Sequence, residues 1–251
     1  EIGVRLVGSE MCIRDRITFE GRERIMPCIC KCQKEERERQ EQRMKEEEQL
    51  LYVRRLKAAG IQERHLQDWT FASATDTPSV QMAKRYTENW KKVKAENLGL
   101  LLWGDVGTGK SFLAACIANA LLEKGVPVLM TNFSKILNQM GAMYSDERYR
   151  YIASFNRFSL LIIDDLGIER NTEYALEQVY AVVDERYKAG LPLIITTNLT
   201  ISQLRNPEDV AHARIYSRIL EMCTPVHVPG LDRRTAIGKS KQELVKEVLF
   251  S

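Results

Sequence analysis

The fold of this 251-residue chain is decided by one octet, Gly104-Asp105-Val106-Gly107-Thr108-Gly109-Lys110-Ser111. It fits the pattern G-x-x-x-x-G-K-[ST] at every fixed position. Glycines let the backbone fold into a concave nest whose N–H groups point at phosphate oxygens, and a following helix adds its positive N-terminus. We therefore predict that Lys110 contacts the β- and γ-phosphates of a nucleotide and that the Ser111 hydroxyl binds Mg²⁺.

The residues on either side of the octet support this interpretation. Leu98–Trp103 is a short apolar run that ends in glycine, as expected of a buried strand. Lys110–Glu123 is rich in apolar residues, beginning with Phe112, and predicts a helix closed by Gly125. A glycine-rich turn that matched by chance would lack this strand and helix. We expect the whole octet and Phe112 to line the nucleotide site.

A second apolar run ends in two carboxylates. Leu160–Ile163 reads as a buried strand, and Asp164 and Asp165 follow it directly. This is a Walker B pattern, in which Asp164 would hold Mg²⁺ through water and Asp165 would act as the general base for the attacking water. The alternative is that both acids only cap the end of a strand.

The next predicted strand ends in a similar way. Leu193–Thr197 is followed by Asn198, and polar residues at the carboxyl end of a parallel strand lie beside a bound nucleotide. Asn198 is therefore a candidate to orient the water or to contact the γ-phosphate. Thr-Asn after a strand is also ordinary turn chemistry.

Strands and helices alternate along the chain, which predicts a mainly parallel sheet covered by helices on both faces. The expected fold is a three-layer α/β/α P-loop NTPase, preceded by a small cysteine-containing module and a charged linker helix over Gln33–Lys57. Five strands are predicted: Leu98–Trp103, Val126–Thr131, Leu160–Asp164, Leu193–Thr197 and Pro225–Val228. The remaining predicted helices are one from Pro78 to Val93, helical sequence up to about Phe158, Glu173–Ala189 and Pro207–Met222.

Four segments are expected. Residues 1–16 form a non-native leader, because Val7–Arg16 (VGSEMCIRDR) resembles a translated sequencing adapter, and the native start would then be missing. Residues 17–59 hold the cysteine cluster and the charged helix, residues 60–235 the ATPase domain, and residues 236–251 a tail.

Composition narrows the function classes only slightly. The formal net charge of +3 does not by itself indicate nucleic acid. No apolar run reaches the roughly 18 residues that a membrane span needs. The six cysteines do not resemble a disulfide framework in a chain of this size, so we expect a reducing cytoplasm.

Three thiols lie within five residues, at Cys28, Cys30 and Cys32. Alternate residues of an extended strand point the same way, so the three could face one Zn²⁺. Zn²⁺ usually takes four ligands, and a set of solvent-facing cysteines without metal is the alternative.

Taken together, these motifs resemble the AAA+ ATPases and, more closely, the DnaC/DnaI helicase loaders and the IstB transposition helper ATPases. The resemblance covers about residues 60–235. Such proteins are common in phage and mobile-element replication modules, and this sequence resembles those most. The residues that carry it are GDVGTGKS at 104–111, LLIIDDLG at 160–167, Glu177-Gln178, LIITTNL at 193–199, ARIYSRI at 213–219 and Glu221-Met222-Cys223.

The resemblance implies further site residues. Arg218 matches the arginine finger that reaches the γ-phosphate of a neighbouring subunit, and Arg214, one turn earlier, is the second candidate. Arg233 or Arg234 falls where the sensor-2 arginine would contact the nucleotide, and His65–Phe71 resembles the stretch that contacts adenine. The commoner AAA+ residue at Asp165 is Glu, so the shorter side chain suggests slow turnover. A C-x-x-C often precedes the cysteine cluster in this family, so a fourth Zn²⁺ ligand could be missing from this chain.

The resemblance also implies partners. ATP binding would assemble subunits around single-stranded DNA, and the N-terminal module would hold a replicative helicase that hydrolysis releases. A transposition helper that binds duplex DNA and a transposase would share every motif of the site. A third alternative is a nucleotide-gated adaptor in which Asp165 is catalytically idle. Candidate DNA contacts, which could equally be a solvated helical face, are Lys135, Arg148, Arg150 and Arg157 with Tyr144, Tyr149 and Tyr151.

Overall fold

A computed structural model describes residues 14–19, 22–27, 31–167, 172–230, 232, 245 and 248–249. The chain divides into two compact units, Glu1–Tyr52 and Val53–Ser251. No helix in the described ranges has the length and apolar character needed to cross a bilayer.

The first unit contains a hairpin and most of a long helix. Strands β1 (Arg14–Phe19) and β2 (Arg22–Pro27) pair antiparallel, with Arg14 opposite Pro27. Helix α1 (Lys31–Gly60) begins here and is longer than predicted at both ends. Ion pairs at i,i+4, such as Arg37–Glu41 at 2.9 Å, run along its exposed surface. This confirms the solvated charged helix, although exposed pairs of this kind add little stability.

Only part of the predicted zinc site lies within the described residues. Cys28 and Cys30 lie outside the described residues, and Cys32 lies in α1, so the extended conformation expected for Cys32 is wrong. Within the described ranges, no cluster of three or more His, Cys, Asp or Glu side chains could hold a metal ion.

The second unit alternates strands and helices as predicted. Its strands are β3 (Gly99–Trp103), β4 (Val128–Asn132), β5 (Leu160–Leu166), β6 (Leu193–Thr197) and β7 (Cys223–His227). Its helices are α2 (Arg64–Gln67), α3 (Pro78–Glu88), α4 (Trp90–Ala95), α5 (Lys110–Glu123), α6 (Phe133–Met140), α7 (Ser145–Ser154), α8 (Glu173–Lys188), α9 (Ile201–Arg205) and α10 (Val210–Met222). Short 3-10 turns lie at Phe71–Ser73 and Phe155–Arg157.

The five strands form one sheet in the order β4-β5-β6-β3-β7, and every neighbouring pair is parallel. Strand β6 therefore lies between β3, which leads into the glycine-rich octet, and β5, which ends in the two carboxylates. Because all strands point the same way, the motifs that follow them meet at one edge of the sheet.

Alternation along the strands builds a core on each face of the sheet. Leu161 and Ile163 pack with side chains of α6, α7, α8 and α10 on one face. Leu160 and Ile162 pack with α3, α4 and α5 on the other face. The apolar runs of the sequence are thus strands buried on both sides, which confirms the three-layer fold.

One predicted helix is interrupted. Thr77 caps α3 as expected, because its side chain accepts a hydrogen bond from the Val80 N–H at 3.3 Å. The helix ends at Glu88, however, and α4 begins at Trp90. At this break, the Arg85 carbonyl accepts from both the backbone N–H and the side-chain amide of Asn89, at 3.0 and 2.9 Å.

Candidate functional site

The octet forms the connection between β3 and α5. Gly104, Gly107 and Gly109 have φ values of +148°, +78° and +97°, in the region where any side chain is strained. Gly109 is the N-cap of α5, so the loop leads directly into the N-terminus of a 14-residue helix. The backbone therefore has the conformations that an anion-binding nest requires, at the positive end of a helix dipole.

Lys110 lies inside this loop rather than on the surface. The residue is 5% exposed, and its ammonium donates to the carbonyls of Gly104 and Asp105 at 2.9 and 2.7 Å. The Thr108 hydroxyl also donates to the Asp105 carbonyl, at 3.0 Å. These bonds hold the loop closed around a buried positive charge, which is suited to a polyphosphate.

The segment that follows β7, here termed the strap (residues 228–230 and 232), lies directly on the loop. A Cβ added to Gly104 would approach the Val228 carbonyl oxygen to 2.7 Å, and one added to Gly107 would collide with the Asp232 carboxylate. Gly230 in turn packs against Thr108. Two glycines of the octet are therefore needed for this packing as well as for the phosphate nest.

Ser111 and Asp164 are brought together across the sheet edge. The Ser111 side chain lies close enough to Asp164 to lower the pKa of its carboxyl, and the Thr196 hydroxyl donates to Asp164 Oδ1 at 2.6 Å. Burial raises the pKa of Asp164; the hydrogen bond from Thr196 and the Ser111 side chain oppose this, whereas the charges of Asp165 and Glu63 add to it. A carboxylate beside a hydroxyl is an oxygen donor set that fits Mg²⁺, and a divalent cation would remove the cost of burying that carboxylate.

Asp165 has an unusual backbone. Its φ of +57° is one of two positive values at non-glycine residues in the described chain, and the pairing of β5 with β6 is irregular between Ile163 and Leu166. The Asp165 N–H donates to the Thr196 hydroxyl at 2.9 Å. The bulge turns the side chain of the second acid away from the regular strand direction, and Asp tolerates the left-handed region better than most residues.

Asn198 follows β6 and is exposed at the same edge. The preceding Thr197 fixes the turn, because its hydroxyl donates to the Leu166 carbonyl at 2.8 Å and accepts from the Leu199 N–H at 3.0 Å. Asn198 is thus placed between the ends of the two strands that carry the octet and the carboxylates.

The stretch predicted to contact adenine lies against α5. The Trp69 ring is 5.6 Å from the Phe112 ring, and the Asn119 amide donates to the carbonyls of Leu66 and Trp69 at 2.8 and 2.9 Å. A cavity of about 40 Å³ beside Phe112 also touches Thr108, Gly109 and the strap. Aromatic surface therefore flanks the octet on the side of α5.

The two predicted arginine fingers differ in their surroundings. Arg218 is 2.9 Å from Asp184 on α8, and its guanidinium lies 4.6 Å from the centre of the Tyr180 ring. Arg214 is exposed, and none of the described residues forms an ion pair or hydrogen bond with its side chain. Arg233 and Arg234, the sensor-2 candidates, lie outside the described residues.

The candidate DNA contacts fall into two groups. Lys135, Tyr151 and Arg157 line one groove of about 470 Å³ beside β4, α6 and α7. The second group lies towards the start of α7, where Arg148 donates to the Tyr174 hydroxyl at 3.1 Å. The other three members, all exposed, are Tyr144, Tyr149 and Arg150.

Sequence reasoning missed Thr196 and Glu63. Thr196 contacts both acids, but Thr196 and Thr197 are adjacent and equally buried, and the sequence does not show which one faces Asp164. Glu63 lies about a hundred residues before Asp164, outside any motif, and only the folded chain brings its charge close to that carboxylate.

The sequence model of one family, described as IstB-like ATP binding protein, matches residues 31–238. The chain belongs to this IstB-like family. The resemblance drawn from the motifs is therefore confirmed, and the IstB-like chain is an ATP-binding protein of the AAA+ type.

Two curated relatives illustrate the range of this family. The replicative helicase loader DnaI of Bacillus subtilis is 28% identical over 162 residues, which make up 60% of this chain and 50% of DnaI. A protein of Mycobacterium tuberculosis, described as ATP-binding and belonging to an insertion sequence, is 24% identical over 153 residues, 60% of each chain. The IstB-like chain thus spans 50% and 60% of the lengths of these two relatives.

Solved structures show the same fold. A crystal structure of DnaI superposes with a TM-score of 0.58 at 24% identity, over 72% of this chain and 100% of that one. The DnaC helicase loader gives a TM-score of 0.55 at 22% identity, over 66% and 100%.

Proposed function

We propose that this IstB-like protein binds and hydrolyses ATP and loads or remodels a replicative helicase on single-stranded DNA. The observation that carries the proposal is the contact of Ser111, Asp164 and Thr196 beside the octet, at one edge of the sheet. The helicase partner is supported by the relative described as a replicative helicase loader. We assign ATP chemistry to residues 60–235 and helicase contact to residues 17–59.

Each residue of the site has a proposed task. The nest and Lys110 hold the phosphates, and Ser111 with Asp164 holds Mg²⁺, which would neutralise charge on the β- and γ-phosphates. Thr196 fixes the Asp164 carboxylate by donating to it. Asp165 accepts the proton of the attacking water, and Asn198 orients that water. The short reach of Asp165 favours slow turnover, which suits a switch.

An arginine from a neighbouring subunit would complete the site. Arg218 is held by Asp184 and Tyr180 of its own chain, which argues for a role in fixing α10 against α8. Arg214 has no such partner among the described residues. We therefore favour Arg214 as the finger, although the motif placed Arg218 first. Hydrolysis would then depend on ATP-driven assembly.

A cytoplasmic location is part of the proposal, and the buried free thiols of Cys116 and Cys223 suit a reducing compartment. Zn²⁺ in the N-terminal module stays a prediction from Cys28, Cys30 and Cys32 alone. The proposed ATP chemistry depends neither on the location nor on Zn²⁺.

Fluorescence anisotropy with labelled DNA tests the proposal. Single-stranded and duplex oligonucleotides of equal length are titrated at low salt with no nucleotide, ADP or a non-hydrolysable ATP analogue. We expect binding to single strands that is strongest with the ATP analogue. The absence of nucleotide-dependent binding to single strands would contradict the loader mechanism.

The second candidate is a transposition helper. The family description and the insertion-sequence relative favour it. Preference for duplex DNA in the same titration, together with a transposase as the binding partner, would support the helper and contradict the loader.

A further inference from the structure

An ion pair away from the octet joins Glu63, the residue before α2, to Lys135 on α6. The Glu63 carboxylate accepts a hydrogen bond from the Lys135 ammonium through Oε1, while its Oε2 lies 3.4 Å from His65 Nε2. The Glu63 and Lys135 side chains are 34% and 41% exposed, so neither is locked in the interior. Glu63 precedes α2 without capping it through its side chain.

One end of this pair lies beside the metal site. Lys135 is in the first turn of α6, and its N–H donates to the Asn132 side chain at 2.9 Å. Asn132 is the last residue of β4 and lies opposite Asp164 in the parallel register. The Glu63 carboxylate is close enough that its charge helps to raise the pKa of Asp164.

The other end of the pair faces the groove beside β4. Lys135 lines this groove together with Arg157, Tyr151 and Gln139, and the Tyr151 hydroxyl is hydrogen-bonded to Gln139. Two cations and an aromatic ring are the groups that bind a nucleic-acid backbone and stack on its bases. Lys135 therefore belongs both to the candidate DNA groove and to the surroundings of Asp164.

We propose that the Glu63–Lys135 ion pair couples occupancy of this groove by single-stranded DNA to Mg²⁺-dependent ATP binding. The proposal rests on the DNA contact of the proposed function. A phosphate in the groove competes with Glu63 for the Lys135 ammonium, because one ammonium does not fully neutralise both anions. Once Lys135 turns to the phosphate, the Glu63 carboxylate is left uncompensated beside Asp164, and its charge attracts a divalent cation.

Coupling of this kind is reciprocal. If DNA tightens Mg²⁺-dependent ATP binding by some factor, ATP with Mg²⁺ tightens DNA binding by the same factor. Glu63 is a positioning residue in this scheme, because it acts through the charge near Asp164 and not on the nucleotide itself. The two single substitutions therefore have opposite effects in the absence of DNA.

The experiment measures binding of a fluorescent ATP analogue against Mg²⁺ concentration, with and without a single-stranded oligonucleotide. DNA binding is followed separately by anisotropy. In the wild-type chain we expect DNA to lower the Mg²⁺ midpoint about fivefold, within the usual range of coupling between sites. Lys135→Met should lower the midpoint without DNA, bind DNA more weakly and show no further response. Glu63→Gln should bind DNA more tightly, and DNA should no longer change its Mg²⁺ midpoint.

A matched control comes from the Lys57–Glu123 pair, which has an N–O distance of 2.9 Å and joins α1 to α5. Glu123→Gln removes the same charge and should leave the response to DNA at the wild-type value. A wild-type response in Glu63→Gln would overturn the inference, as would an unchanged Mg²⁺ midpoint in Lys135→Met without DNA. Failure of the wild-type chain to bind DNA in any nucleotide state would instead contradict the proposed function and end the coupling scheme with it.

Discussion

Thr196 connects the two acids of the site through a single hydroxyl. It donates to the Asp164 carboxylate at 2.6 Å and accepts from the Asp165 N–H at 2.9 Å. The side chain is fully buried in β6. One group therefore sets both the orientation of the carboxylate proposed to hold Mg²⁺ and the backbone of the proposed base.

Thr196→Val keeps the shape of the side chain and removes both bonds. We expect ATP turnover to fall by about 10- to 100-fold and the Mg²⁺ requirement to rise, as for other residues that orient a metal ligand. Phosphate release measured across a Mg²⁺ titration checks this. Thr87→Val, another buried threonine with its own hydrogen bond to the Lys84 carbonyl, is the control and should keep wild-type turnover. Equal turnover in the wild-type and Thr196→Val chains would show that the hydroxyl has no such role.

The sequence predicted the residues of the site unevenly. Fixed spacing in the octet predicted Lys110 and Ser111, and the end of an apolar strand predicted Asp164 and Asp165. Thr196 could not be chosen over Thr197, because the local twist and the bulge in β5 decide which hydroxyl meets Asp164.

At the scale of elements, one arginine connects the segments before β5 and β6, at the edge of the sheet opposite the nucleotide site. Arg186 on α8 is 1% exposed and donates to the carbonyls of Phe155, Phe158, Ser159 and Pro192 at 2.9 to 3.4 Å. These carbonyls belong to the segments that lead into β5 and β6. Burial lowers the pKa of Arg186 to about 10, which leaves it charged at neutral pH.

Arg186→Ala should lower the free energy of unfolding by about 3 kcal/mol or more, because several buried carbonyls lose a charged donor. Urea unfolding followed by circular dichroism measures this. The free energy of unfolding of Arg186→Lys should lie between those of the wild-type chain and Arg186→Ala, since one ammonium cannot reach all four carbonyls. A loss below about 1 kcal/mol in Arg186→Ala would mean that water replaces the guanidinium.

The sequence predicted all five strands of the sheet and the order of the main helices. Apolar runs identified the strands because both faces of a parallel sheet are buried. The short helices α2 and α9 were missed, because four or five residues carry no helical period. The break between α3 and α4 was missed because the helical spacing of Tyr86, Trp90 and Val93 continues across Asn89.

At the scale of the whole molecule, we predict an active site shared between subunits. Arg214 is exposed on α10, and Arg218 is bound to α8 of its own chain. In the proposed arrangement, a neighbouring copy of the protein brings Arg214 to the γ-phosphate. Turnover should therefore rise more steeply than protein concentration.

Arg214→Ala should keep ATP binding and lose about 10³-fold in turnover at saturating protein, the usual minimum for a finger. Arg218→Ala should instead destabilise the packing of α10 on α8, seen as a lower melting temperature. Phosphate release, nucleotide affinity and thermal unfolding of both variants separate these roles. Loss of turnover in Arg218→Ala alone, with unchanged stability, would return the finger to Arg218.

The octet and the two carboxylates are proposed to form an ATP-hydrolysing site. Steady-state phosphate release by the wild-type chain, Lys110→Ala and Asp165→Asn, with single-stranded DNA and a partner helicase present, tests it most directly. We expect slow release by the wild-type chain and at least about tenfold less by both variants, with ATP binding retained in Asp165→Asn. Equal phosphate release by the wild-type chain and Lys110→Ala would contradict the claim and leave a nucleotide-gated adaptor in its place.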